Sequence, residues 1–325
     1  MEFRIVHTTQ YRYSAPAIES FSELRVRPRQ TLRQVVHKHA TEVHPRVPLE
    51  VFQDYYGNWV ESLSVPFRHS QLVVTSRSLV QTRPYQDAMR GLDLTVSEAA
   101  HLCWPQRREL YDFLVPSMHV PLGGEIDAIA REHLPRNAPF AESILKLNNF
   151  FFKTLKYEPG TTDISTPILE VWEKKRGVCQ DFAHLMIAVL RSTGLPARYV
   201  SGYIETERQA KIATGQLVPD PEEMENDEEE DPEHPKPLIG ATASHAWVEI
   251  YMPNGHWVGI DPTNNQMEGE RHVQIGIGRD YADVPPLRGA FKGAEEQQLK
   301  VKVSVARQVG EENGGANDGP VLEEI

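Results

Sequence analysis

The chain predicts an α+β fold, with a β-rich N-terminal domain followed by a domain in which helices pack on an antiparallel sheet. Three observations carry this. Residues 1–85 alternate apolar and polar in short bursts punctuated by Pro, Gly and Asn. From residue 125 the apolar period lengthens to that of helices. After residue 197 the period returns to two, with a hairpin signal around Gly255.

Taken in order, the first bursts are Phe3-Ile5-His7, Tyr11-Tyr13, Leu24-Val26, Val35-His37-His39, Leu49-Val51, Val60-Ser62-Leu63 and Leu72-Val73-Val74, with a turn at Tyr56-Gly57-Asn58. His37 and His39 fall on one strand face near His44. No third ligand follows at metal spacing, so an exposed sheet face is expected, with no metal. A short helix is expected over 95–103, and Cys103 beside Trp104-Pro105 reads as packing. Ile126-Ala128-Ile129 and Ile144-Leu147-Phe150-Phe151-Leu155 suit helices on one core. Another helix is expected to begin at Ser165-Thr166-Pro167, with Ser165 or Thr166 as its cap and Pro167 in its first turn. Next comes a helix starting at Cys179 and stopping at Gly194-Leu195-Pro196. Strands follow at 197–204, 245–261, 271–277 and 299–306, all assigned to one sheet. The expected boundaries are 1–85, 86–306 (core 160–285) and a tail, 307–325.

Of the net charge of −12, residues 219–237 hold −9 (ten acids, one lysine) and residues 310–325 hold −5 (five acids). The remaining body is thus near +2, which argues against a nucleic-acid partner. Both acidic segments lack core-forming residues and read as solvated chain. The first is a tolerated insertion or a flap favouring amine-bearing substrates. Two cysteines make no disulfide framework or zinc pattern. Neither a signal segment nor an 18-residue apolar run is visible, so the expectation is a cytoplasmic protein with no membrane partner and no cofactor.

Chemistry concentrates in two places. In Gly177-Val178-Cys179-Gln180-Asp181 a cysteine opens a helix, where free backbone N–H groups and the helix dipole favour an anion. In residues 243–263 the favoured hairpin has a three-residue loop, Pro253-Asn254-Gly255, which opposes Met252 to His256, Ile250 to Val258 and Val248 to Ile260. That register keeps Asp261 off the core face and makes it a diagonal neighbour of His245. Thiol, base and orienting carboxylate are the parts of a Cys-His-Asp nucleophilic system.

These residues resemble the transglutaminase-like superfamily of papain-like fold, in its bacterial branch with an N-terminal β-domain. The resemblance rests on Arg176-Gly177-Val178-Cys179-Gln180-Asp181-Phe182-Ala183, on Gly194-Leu195-Pro196-Ala197-Arg198-Tyr199-Val200-Ser201-Gly202-Tyr203 and on Ser244-His245-Ala246-Trp247-Val248-Glu249. Gly259-Ile260-Asp261-Pro262-Thr263-Asn264, Gly278-Arg279-Asp280-Tyr281-Ala282-Asp283-Val284-Pro285-Pro286 and Asp54-Tyr55-Tyr56-Gly57-Asn58 extend it over most of residues 1–293. It implies Cys179 as nucleophile, His245 as general base and acid, and Asp261 as orienter. It also suggests that Asp280 and Tyr281 reach the cleft. Established cross-linkers of this family follow the nucleophile with Trp, where this chain has Gln180.

Gln180, Trp247, Tyr251 and Trp257 are further candidates for the substrate cleft. Asp181 is expected to complement the helix start or to pair with Arg198. His184, five residues past Cys179, lies off its face and reads as a supporting histidine. The Cys179 backbone N–H is one candidate oxyanion donor. The function expected is thiol-dependent hydrolysis of a peptide or other amide through a thioester. The alternatives are glutamine acyl transfer to an amine, or a catalytically silent binding module.

Overall fold

The computed structural model describes residues 1–84, 89, 93–206, 209–211 and 244–308. The acidic segments 219–237 and 310–325 therefore lie outside the described residues, and with them the flap reading.

The N-terminal strands are β1 (Glu2–Ala17), β2 (Glu19–Leu24), β3 (Gln34–His44), β4 (Leu49–Gln53), β5 (Trp59–Val65) and β6 (His69–Thr82). The helical stretch holds α1 (Val96–Cys103), α2 (Glu125–His133), α3 (Phe140–Thr154), the short β7 (Lys156–Tyr157), α4 (Ile168–Lys174), the short β8 (Arg176–Gly177) and α5 (Cys179–Ser192). Then come β9 (Ala197–Ile204), β10 (His245–Tyr251), β11 (Trp257–Asp261), β12 (Gln266–Met267), β13 (His272–Gly278), β14 (Leu287–Lys292) and β15 (Gln297–Arg307).

Two four-stranded sheets, ordered β15-β1-β6-β3 and β14-β2-β5-β4, form a sandwich. Leu24, Val26, Leu63, Val65, Leu72 and Val74 pack within it. A five-stranded antiparallel sheet, β12-β11-β10-β9-β13, carries the helices on one face. The central helix is α5, apolar nearly all round and buried from Cys179 to Leu190 except at Gln180. It lies against Ala197, Tyr199, Ala246, Val248 and Ile250 of β9 and β10.

Three readings of the sequence need correction. The strand expected over 299–306 forms, but as β15 it pairs with β1 (Ile5 opposite Val305), while β14 pairs with β2. Residues 287–307 thus return to the N-terminal sandwich, because alternation reveals a strand and not its partner. On β3, His37 is the extra residue of a bulge and stays 39% exposed. His39 turns inward, bonded to Ser78 Oγ (2.9 Å) and Glu61 Oε1 (2.8 Å), so the pair shares no exposed face. The cap of α4 is Pro167 itself, with Ser165 and Thr166 tied instead to Asp163 in the preceding loop.

The sandwich packs against the β9–β13 side of the five-stranded sheet. Phe3, Ile5, Val80, Val303 and Val305 pack against Tyr203, Val273 and Ile275. The turn at Asp54-Tyr55-Tyr56-Gly57-Asn58 locks this contact. Asp54 Oδ1 accepts from the Tyr56 and Asn58 N–H groups, and Gly57 takes φ +72. Fully buried Asn58 then donates to Ile277 O (2.8 Å) and accepts from Ile277 N–H (2.9 Å), standing in for a neighbouring strand.

Candidate active site

Cys179 is the first residue of α5 and is 8% exposed. Its position is set locally. Val178 is extended, and the buried Asp181 carboxylate accepts from Val178 N–H (2.8 Å) and Thr162 Oγ1 (2.7 Å). Burial pushes the Asp181 carboxyl up, against those two bonds. A Cβ on Gly177 would lie 2.6 Å from Asp181 Oδ2, so only glycine lets the carboxylate cap the helix. Arg198, the other partner considered for Asp181, pairs with Glu249 instead (2.7 Å). The first helix N–H groups to find a carbonyl are those of Asp181 and Phe182, both to Val178 O. Those of Cys179 and Gln180 precede any intrahelical bond and are available as donors.

The hairpin takes the register argued from its apolar alternation, with Val248 opposite Ile260, Ile250 opposite Val258 and Gly255 left-handed at φ +88. His245 opens β10 opposite Gly202, whose missing side chain makes room for the Trp247 ring. Asp261 closes β11. His245 Nε2 meets Asp261 Oδ2 at 2.8 Å, and neither side chain is exposed to solvent. The carboxylate is held further by Thr263 N–H (3.0 Å) and Asn264 N–H (3.2 Å) on Oδ1, and by Asn264 Nδ2 (2.7 Å) on Oδ2.

The electrostatics follow from burial. Desolvation disfavours the imidazolium, but the Asp261 charge and hydrogen bond outweigh it, and Cys179 adds to them. His245 rises from 6.5 to about 10. Desolvation likewise works against the Asp261 carboxylate, yet His245 holds it well below the usual carboxylate range. His245 Nδ1, the nitrogen turned from Asp261, closes no bond of normal length among the described residues, while Cys179 is near enough to bias the ring. A thiol at a helix start and an imidazole oriented by a buried carboxylate can pass one proton between them.

The other expected residues are distributed as follows. Gln180 is half-buried beside Cys179. Trp247 is fully buried, with its ring 6.0 Å from that of His245 and 5.1 Å from that of His272. Tyr251 and Trp257 pack on each other (5.2 Å) at the turn end of the hairpin, a strand's length from His245, with Arg198 over Trp257. Asp280 and Tyr281 lie along the second turn of α5. Asp280 accepts from His119 and Ala282 N–H, and Tyr281 N–H donates to His184 Nε2 (3.1 Å). Burial lowers His184 to about 3, so it stays a neutral acceptor. Cys103 is buried against Tyr251 O, and burial pushes its thiol up to about 11. Among the described residues no group of His, Cys, Asp or Glu could hold a metal, and no helix is long and apolar enough to cross a membrane.

Two site residues escaped the sequence reading. Asn264 lies within the quoted Asp261 motif, three residues on, where an Asx turn could have been foreseen. His272, whose Nε2 lies 3.5 Å from Asp261 Oδ2, reaches the site from β13 with no local signal.

Residues 127–262 match the model of the transglutaminase-like superfamily, and residues 3–81 that of the bacterial transglutaminase-like N-terminal region. An uncharacterised protein of Mycobacterium leprae is 34% identical over 308 residues, 94% of this chain and 98% of its own length. The chain belongs to the transglutaminase-like superfamily. Its transglutaminase-like core thus ends at the hairpin that carries His245 and Asp261. A crystal structure from Cytophaga hutchinsonii, described as a candidate cysteine protease, superposes with a TM-score of 0.69. It is 21% identical and covers 95% of this chain and 92% of its own, a likeness of fold. The protein-glutamine gamma-glutamyltransferase of Pseudomonas aeruginosa is 29% identical over 171 residues, 50% of this chain and 22% of its own length.

Proposed function

We propose that this transglutaminase-like protein hydrolyses amide bonds through a thioester on Cys179. The observation that carries the reading is the buried His245–Asp261 pair, whose free Nδ1 is biased by the thiol at the start of α5. In the first half-reaction Cys179 Sγ, its proton taken by His245 Nδ1, attacks the amide carbonyl. The negative oxygen is met by helix-start N–H groups, that of Cys179 first. Collapse breaks the C–N bond as His245 returns the proton to the leaving amine. In the second, His245 takes a proton from water, which attacks the thioester and releases acid and thiol. Asp261 stays ionised throughout and keeps Nε2 protonated.

Water is the favoured acceptor because Gln180 stands where cross-linking relatives carry Trp. Transfer to an amine is the second reading, favoured by the name of the Pseudomonas relative. The test has two stages. Alkylation of each cysteine is followed by peptide mass spectrometry in the parent and in His245→Ala. Cys179 labelling is expected to fall at least about tenfold in the variant, with Cys103 slow in both. Equal labelling in the two proteins would sink the nucleophilic site and leave a silent binding module as the reading. Glutamine-containing peptides are then incubated with the parent, with and without a primary amine. Cleaved or deamidated peptide supports hydrolysis, and incorporated amine supports transfer.

A further inference from the structure

Asp261 Oδ2 is approached by two histidines, and a nucleophilic triad uses only one. The second, His272, sits 2% exposed at its side chain and belongs to an ionic network on the helix-free face of the sheet. Its Nδ1 accepts from Gly269 N–H (3.1 Å), so Nδ1 carries no proton. A neutral His272 must then carry its proton on Nε2, aimed at Asp261 (3.5 Å). The Trp247 ring stands edge-on to His272 and stacked with His245, fixing both imidazoles.

The rest of the network decides the charge beside His272. Glu268 and Glu249 are both buried, and both accept from Gln274 Nε2, at 3.0 and 2.7 Å. Glu249 is neutralised by Arg198 of its own sheet. Glu268 is paired from outside it, by Arg33, which enters from the loop between β2 and β3 of the N-terminal sandwich and opposes the burial and the Glu249 charge that push the Glu268 carboxyl up. Gln34 holds that loop in place. Its side chain accepts from Gln274 N–H (2.9 Å) and donates to Gln274 O (2.7 Å). Arg33, Glu268 and His272 line one small polar cavity. Gly259 lies beneath the Glu268 carboxylate, where any Cβ would collide with it. The charged or titratable groups packed around His272 are Asp261, His245, Glu268 and Arg33, with Arg83 at the cavity wall. Glu270 is tied to the Met1 amine, and Arg271 to Glu205.

We propose that the N-terminal sandwich completes the triad: Arg33, by holding buried Glu268 as an ion pair, keeps His272 a neutral Nε2–H donor to Asp261, and so leaves the Asp261 charge to His245. The proposal rests on the reading of Cys179, His245 and Asp261 as a nucleophilic site. His272 and Arg33 are positioning residues in it, since neither touches the thiol. Without Arg33, the Glu268 charge is left unpaired beside His272 and draws a proton onto it. A cationic His272 competes with His245 for the same carboxylate oxygen.

The test combines imidazole 15N NMR with Cys179 alkylation. In the unmodified protein near neutral pH, His272 is expected as the Nε2–H tautomer; an Nδ1–H or cationic His272 overturns the proposal without any variant. Arg33→Met is expected to slow Cys179 alkylation at least about tenfold and to shift its pH profile. Arg33→Met combined with Glu268→Gln is expected to return to within about threefold of the parent, because the unpaired charge is gone. A merely structural Arg33 would show no such rescue, and a double variant as slow as the single one overturns the proposal. Parent alkylation that ignores His245 defeats the nucleophilic reading and this proposal with it. Alkylation that depends on His245 but ignores Arg33 defeats this proposal alone.

Discussion

Asp261→Asn probes the site at its most constrained atom. The Oδ1 position accepts from two backbone N–H groups, Thr263 and Asn264, so the amide oxygen of an asparagine must take that place. Its NH2 then replaces Oδ2 and meets His245 Nε2, which has to become an acceptor. The proton of the neutral ring moves to Nδ1, the nitrogen that should receive the thiol proton, and the base is blocked. The magnitude can be read from the parent. The rise of His245 from 6.5 to about 10, driven against burial chiefly by Asp261, corresponds to about 5 kcal/mol of preference for the imidazolium. Most of that is lost, so kcat/KM on an amide substrate is expected to fall by about three to four orders of magnitude. Asn264 Nδ2 and His272 Nε2 would also face a donor, which destabilises the fold by about 1–3 kcal/mol. The assay is Cys179 alkylation and amide turnover in both proteins, with circular dichroism and thermal melting to show that the variant is folded. A folded Asp261→Asn protein within about threefold of the parent in both rates would refute the tautomer argument.

Further outcomes follow from the same contacts. His245 is raised above 6.5, so its contribution to stability is complete below 6.5 and is lost as pH climbs through about 10. The melting-temperature gap between the parent and His245→Gln should therefore narrow over that range, and a gap that widens would contradict the pairing. Asp261 is depressed below 3.8, so its contribution holds above that value and disappears in acid. Gly202→Ala drives a methyl into the Trp247 ring and the Val273 carbonyl. It should cost more than about 3 kcal/mol in denaturant unfolding or prevent soluble expression. Asn58→Ala leaves both backbone groups of Ile277 buried without their side-chain partner. A loss of about 2–5 kcal/mol is expected, together with faster proteolysis between the sandwich and the core; unchanged melting would show that the turn does not lock them.

Sequence by itself determined what depends on neighbouring residues. The helix start at Cys179 follows from Gly177, Val178 and the capping Asp181. The register that brings Asp261 beside His245 follows from a Gly-containing turn and strict alternation, since a one-residue slip would bury a carboxylate in the core. The tertiary structure decided what depends on residues far apart in the chain. β15 could have paired with any edge strand, because alternation carries no address, and it closes on β1 nearly 300 residues away. Asn58 looks like an ordinary turn residue until its amide is seen paired with Ile277. His272 and Arg33 gave no local sign of the site, since a buried ion pair across two sheets is specified only when both sheets are in place. Cys179, His245 and Asp261 are legible because they sit at the ends of elements that form locally. His272 and Arg33 are not, because their geometry exists only once the sandwich has docked.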